Sequence, residues 1–344
     1  MKKSVPFFLS MSVFISLSFL FSFALSANES LASSDPSAPS DLSKPIKFEK
    51  PKVFDFITNV PSTLVSAWKM SFNTKPETLM VWGGVISSTI ITFIWDEEIL
   101  AEVKRWGRDL GLGNDDKTTT MIRKNNISLM RGPTDAGSAM YFLGDGWMHT
   151  FIGTGFLLSG LGMNDNRAIQ TGSQIYHGMI SSTIINQIFK RSFGRESPYR
   201  KTKYRGDWNF FPSFSTYNND TSKHDAMPTG HLMVTSMTFT VIYENYPDYR
   251  SFVVPIAATW MTLLGLQMVN NGVHWISDYP LGMAMGYVFG KVSSKYGRIG
   301  NTNTNANANT NSKKSFLENW EILPVYISEE GERSYGLYAR ASFF

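Results

Sequence analysis

Hydrophobic and polar positions divide the chain into an ordered series of segments. An apolar run from 6 to 25 comes first, and a Ser-, Pro- and Asp-rich stretch without apolar periodicity follows it to residue 52. Residues 54–72 carry an amphipathic pattern, and 78–95 are strongly apolar up to Asp96-Glu97-Glu98. Residues 100–126 are polar, with Gly111-Leu112-Gly113-Asn114-Asp115 reading as a loop. Five further apolar segments follow, at 145–163, 168–190, 232–246, 251–270 and 275–292, so six core helices are predicted with the run at 78–95. Asn270-Asn271-Gly272 is a natural break, and Pro247 and Pro280 sit at boundaries. The Asn/Thr/Ala tract at 301–311 reads as a low-complexity linker. Beyond it, Glu329-Glu330-Gly331 lies between two β-prone runs, a hairpin pattern.

The first segment has the form of an export signal. Lys2 and Lys3 precede the apolar run, and Ala24-Leu25-Ser26 offers a small-x-small cleavage pattern. An uncleaved anchor helix is the alternative, and either form delivers the chain to the cell envelope. The expected organisation is a signal peptide at 1–26, a flexible tether at 27–52, a helical domain at 53–298, a linker at 299–315 and a hairpin-like tail at 316–344. A spanning helix needs about 20 largely apolar residues. Residues 251–270 qualify best, and 78–95 and 148–163 are borderline. Membrane insertion is the expectation, with a soluble periplasmic bundle as the rival.

Composition narrows the partners. The 344 residues include 42% hydrophobic but only 17% charged residues, with a formal net charge of +4. That balance suits anionic substrates or a membrane surface and is too mild for nucleic acid. The absence of cysteine excludes disulfides, thiolate nucleophiles and Cys-based metal sites. With five histidines and no accompanying carboxylate cluster, neither a metal nor a cofactor is expected.

The candidate chemistry lies late in the chain. His274 and Asp278 stand four apart, so on a helix they share a face, and the carboxylate can hold one imidazole nitrogen while the other attacks. Such pairs are more often ordinary surface contacts. His231 follows Pro228-Thr229-Gly230 and opens an apolar run, where the free N–H groups of a helix start can bind an anion. A third element gives the pair meaning: Lys190-Arg191-Ser192-Phe193-Gly194-Arg195-Glu196-Ser197-Pro198.

In this order the three elements resemble the type 2 phosphatidic acid phosphatase (PAP2) superfamily. Its motifs run Lys-x6-Arg-Pro, Pro-Ser-Gly-His and Ser-Arg-x5-His-x3-Asp. Lys190, Gly194, Arg195 and Pro198 fit the first. Pro228, Gly230 and His231 fit the second, with Thr229 in place of Ser. His274 and Asp278 fit the third, in the frequent His-Trp-x-Ser-Asp form. The resemblance spans roughly residues 145–295 and implies an all-α, six-helix, membrane-inserted bundle, with the small C-terminal β-hairpin as an appendage. It also implies that His274 attacks phosphorus and becomes a phosphohistidine while Asp278 orients it. His231 then serves as acid and base, Thr229 and Gly230 cradle the phosphate oxygens, and Lys190 and Arg195 supply positive charge.

Two positions depart from the family. Ser197 stands where the first motif has its second Arg, and Gln267-Met268 replaces Ser-Arg in the third. An Arg fork makes bidentate contacts that Ser and Met cannot replace. Arg191, Arg195 and Arg200 are candidate substitutes, and Asn270 and Asn271 are candidate neutral donors. The connection 195–227 carries Arg200, Lys201, Lys203 and Arg205 with Tyr199, Tyr204 and Trp208. It reads either as a cover that meets an anionic headgroup or as a solvated basic loop.

The expected function is therefore a metal-independent envelope phosphatase with a periplasm-facing site. Phosphatidate, a polyprenyl phosphate or diphosphate, and a lipid A phosphate are candidate substrates. A PAP2-like lipid-binding or scaffold protein with a weak or inert site is the alternative, and a vanadium haloperoxidase is a third reading. The sequence does not fix the oligomeric state.

Overall fold

The computed structural model describes residues 46–115, 117–124, 127–299, 320–329 and 332–341. The expected signal peptide, most of the expected tether and the linker lie outside them. Among the described residues are eleven α-helices: α1 (Asp55–Thr58), α2 (Val60–Ser71), α3 (Pro76–Ile94), α4 (Asp96–Asp109), α5 (Ala136–Phe142), α6 (Gly146–Met163), α7 (Asn166–Phe193), α8 (Phe214–Asn219), α9 (Gly230–Asn245), α10 (Arg250–Asn271) and α11 (Tyr279–Ser293).

The six predicted core helices are α3, α6, α7, α9, α10 and α11, displaced from the expected bounds by a few residues. Their ends follow from local chemistry. Asp145, Asp165 and Thr229 cap α6, α7 and α9 with side-chain oxygens. Gly194 (φ 54°) and Gly272 (φ 72°) take the left-handed conformation that ends α7 and α10.

These helices alternate in direction. Gly230 of α9 meets Asn186 near the end of α7, while Asn245 at the other end of α9 bonds Thr171 and Gln174 near the start of α7. The parallel pair α9 and α11 approach through Gly282, Gly286 and Gly290. A Cβ on these would lie 2.6, 2.2 and 2.8 Å from the carbonyls of Thr229, Met233 and Met237. Small residues at four-residue spacing let two backbones come this close. The result gathers one end of every core helix: the ends of α3, α7 and α10 and the starts of α6, α9 and α11.

Three expectations are corrected. The polar stretch 100–126 has 111–115 as the expected loop, but the elements on either side of it are unforeseen. Within the stretch runs most of α4, which buries Ile99, Leu100 and Val103, and the hairpin β2 (Thr118–Lys124) with β3 (Ile127–Pro133) follows. The expected tether ends in an ordered strand, β1 (Lys47–Phe48), which pairs with β4 (Arg298–Ile299) and buries Phe48. His274 and Asp278 do not share a helical face, because His274 precedes the 3-10 turn Ile276–Asp278 and α11 starts only at Tyr279.

The chain divides between Ile299 and Gly300 into two units. The second contains β5 (Trp320–Glu329) paired antiparallel with β6 (Glu332–Ala341), closing at Glu329 and Glu332 as the hairpin pattern predicts.

Candidate active site

The gathered helix ends bring His274, His231 and Lys190 together. His274 is 2% exposed, and its Nδ1 lies 2.6 Å from the Ala226 carbonyl oxygen. A carbonyl only accepts, so Nδ1 carries the proton and Nε2 of the neutral ring keeps its lone pair. The orienting bond therefore comes from the backbone. Asp278 Oδ2 stands 3.7 Å from the same Nδ1, close enough to balance a charge on the ring. The Ala226 carbonyl is placed by the connection 195–227, where Ala226 N–H donates to the Arg195 carbonyl.

The His231 ring lies 6.1 Å from that of His274, centroid to centroid. Tyr141 covers it at 4.7 Å, and Gly144 sits against its Cβ. Burial pushes the His231 pKa down to about 3, and the neighbouring His274 and Lys190 add to the shift. Lys190, at the end of α7, reaches Asp225 at 3.4 Å. Thr229 is fully buried; its Oγ1 caps α9 and donates to the Met268 sulfur at 3.7 Å. The N–H groups of Gly230 and His231 belong to the first turn of α9 and have no intrahelical acceptor.

Arg195 lies beneath these groups and does not line the site. It is wholly buried, with Nη1 donating to Asp278 and Ser277 and Nη2 donating to Asp96 at 2.7 Å. Phe93, Trp208 and Trp275 surround its guanidinium at 5.0–5.2 Å. Ser277 Oγ also donates to Asp96 at 2.6 Å, and Trp275 N–H donates to Asp278 at 2.8 Å. Burial raises the Asp96 carboxyl to about 6 despite Arg195. Burial also opposes the charge of Asp278, but Arg195, His274 and the Trp275 N–H together hold its pKa below the usual carboxylate range.

Asp96 is the residue that sequence reasoning missed. The one signal for it in the sequence is its place in the acidic run Asp96-Glu97-Glu98 that follows the apolar segment 78–95. The other candidate grips are engaged elsewhere. Arg191 bonds Gln187 and covers Tyr217, and Arg200 pairs with Asp220. Asn270 Nδ2 donates to the Gly113 carbonyl, whereas Asn271 is held only through Oδ1, which accepts from Gln267, and its donor Nδ2 is buried without a partner. Ser197 and Met268, at the two departed Arg positions, are 1% and 0% exposed, so neither has open space for a longer cation.

No curated protein and no solved structure matches the chain. The family model of the PAP2 superfamily, whose members hydrolyse phosphate esters, matches residues 173–298, the stretch that carries Lys190, His231, His274 and Asp278.

Proposed function

We propose that the protein is a membrane-associated phosphatase of the cell envelope that hydrolyses a lipid phosphate through a phosphohistidine on His274. The observation that carries this reading is the His274 ring, locked through Nδ1–H to Ala226 O with Nε2 outside that bond and the second imidazole 6.1 Å away, centroid to centroid. Nε2 attacks phosphorus, the bond to the ester oxygen breaks, and His231 gives that oxygen its proton. Asp278 balances the charge on the phosphorylated ring. His231 then takes a proton from water, the water oxygen attacks phosphorus, and the N–P bond breaks to free phosphate. Lys190 and the N–H groups of Gly230 and His231 hold the phosphate oxygens. Thr229 supports this cradle as the cap of α9. Arg195 acts on the phosphate only indirectly, by fixing Asp278.

Among the described residues no three His, Asp or Glu gather as a metal site, and the route assigns every step to a side chain or water. A lipid substrate fits the apolar exterior of α3, the span-length helix beside the site. The test is a rapid acid- or base-quenched reaction with labelled phosphatidate. It should trap an acid-labile, base-stable phosphoryl group that is absent in His274→Ala. Phosphate release that continues in His274→Ala would sink the mechanism, and a trapped phosphoryl group on any other residue would do the same.

A further inference from the structure

The connection 195–227 presents three phenylalanines to its surroundings: Phe210, Phe211 and Phe214 are 60%, 77% and 75% exposed. Phe211 is held at φ 52°, a left-handed backbone that bulky residues rarely adopt. Three apolar rings turned outward from a polar connection, one of them by a strained backbone, indicate a surface meant to be covered.

The position of the connection shows what covers it. Among the described residues two helices are long and apolar enough to cross a membrane, α3 and the segment Pro247–Asn271 that contains α10. The connection is fastened to the C-terminal ends of both. At α3, Arg205 donates to the Ile94 carbonyl and Arg205 N–H bonds Glu97. Phe93 in the last turn of α3 meets Trp208, and Phe210 stacks on Trp208 at 5.8 Å. At α10, Tyr199 N–H donates to the carbonyl of Gly272, the residue that ends the helix. The aromatic triplet is thus tied to the level at which both apolar helices stop, where amphipathic and aromatic rings gather at a membrane–water boundary.

We propose that Phe210, Phe211 and Phe214 form a wedge that inserts into the interfacial layer of a lipid bilayer beside the candidate active site. The partner is a lipid surface, and the wedge fixes the connection that supplies Ala226 O to His274 at the depth of a phosphate headgroup. A substrate headgroup then meets the site without the lipid leaving its leaflet. The inference rests on the reading of α3 as a lipid-facing helix.

Because the chain has no cysteine, single labels can be placed without competition. Full-length Phe211→Cys and Ile86→Cys, each carrying an environment-sensitive nitrobenzoxadiazole, are reconstituted in phosphatidylcholine vesicles with some phosphatidylglycerol. The Phe211 label decides the wedge, and the Ile86 label, on the exposed face of α3, separately decides the membrane reading. Expected is quenching of the Phe211 label by headgroup-level nitroxide lipid, with little quenching by aqueous iodide. The Ile86 label should instead be quenched by nitroxide deep in the acyl chains. A Phe211 label open to iodide and untouched by nitroxide lipid overturns the wedge, even when Ile86 proves to be immersed. A Phe211 label shielded from both quenchers also overturns it, since a protein partner would then cover the surface.

Discussion

At the residue scale, the low pKa of His231 constrains when each proton moves. With a value near 3, the empty site holds a neutral imidazole at neutral pH. The proton that His231 passes to the leaving oxygen must therefore arrive with the substrate, as the monoanion of a phosphate ester whose second ionisation lies near about pH 6. We expect kcat/KM to fall by roughly tenfold per pH unit above about pH 6 on an alkyl phosphate. A flat profile to pH 9 would contradict this. Removing the acid hurts most where the leaving group is poor. His231→Asn should lose roughly 10²–10⁴-fold on an alkyl phosphate and far less on p-nitrophenyl phosphate, whereas His274→Ala should lose both. The same shift has a stability consequence. Between about pH 6.5 and 3 the unfolded chain binds a proton at His231 that the folded chain refuses, so stability is lost as pH is lowered through that window. Asp96 has the opposite sign. Its folded pKa of about 6 exceeds the ordinary value of 3.8, so its favourable contribution is lost as pH rises through about 6. Asp96→Asn should therefore gain in melting temperature relative to the wild type between pH 4 and pH 8. Arg195→Met leaves two buried carboxylates unpaired and should cost roughly 3–5 kcal/mol. Equal melting behaviour of the two variants at pH 8 would show that the buried cluster is wrongly assigned.

At the element scale, the site depends on how closely α9 and α11 approach. A Cβ at Gly282 would stand 2.6 Å from the Thr229 carbonyl, in the turn that carries Gly230 and His231. A Cβ at Gly290 would crowd Thr240 equally, at 2.5 Å, but far along the helix from the site. Each Ala substitution overpacks the seam at a cost of roughly 1–3 kcal/mol. Gly282→Ala should also lose most of its turnover, while Gly290→Ala keeps it; similar turnover in the two variants would mean that the turn does not position His231. How much of this was legible in the sequence depends on the kind of signal. The core helices were found because long apolar runs survive any packing arrangement. Helix α4 is hidden because the large apolar residues of its buried face are only Ile99, Leu100 and Val103, set among eight charged side chains in Asp96–Asp109. The geometry around His274 was misread although its punctuation was present: Gly272 ends α10 and Pro280 starts α11, leaving 273–278 too short for a shared helix. The role of Arg195 was out of reach, since its partner Asp96 lies 99 residues away and local pattern carries no record of such a pairing.

At the scale of the whole molecule, three expectations from the sequence cannot hold together. An export signal at 1–26 would leave residue 27 on the outer side of the membrane. Helix α3 begins at Pro76 and ends at Ile94, beside the candidate site. If α3 crosses the bilayer, its single passage puts the site face on the inner side, not the outer. The distribution of basic residues agrees, because the short connections at the site end carry Lys104, Arg105, Arg108, Arg200, Lys201, Lys203 and Arg205, and short inner loops are the ones enriched in Lys and Arg. An outward-facing site requires instead that α3 lie along the surface without crossing. A membrane-impermeant maleimide on intact spheroplasts separates these arrangements, with Lys203→Cys reporting on the site end and Asn73→Cys on the opposite end. With α3 crossing after export, we expect Asn73→Cys to be labelled from outside and Lys203→Cys only after lysis. Labelling of both from outside would remove the crossing and leave an exported bundle held at the surface. Labelling of Lys203→Cys alone would show that residue 27 never reached the outer side, and the reading of the first 26 residues as an export signal would fail while the crossing by α3 stood.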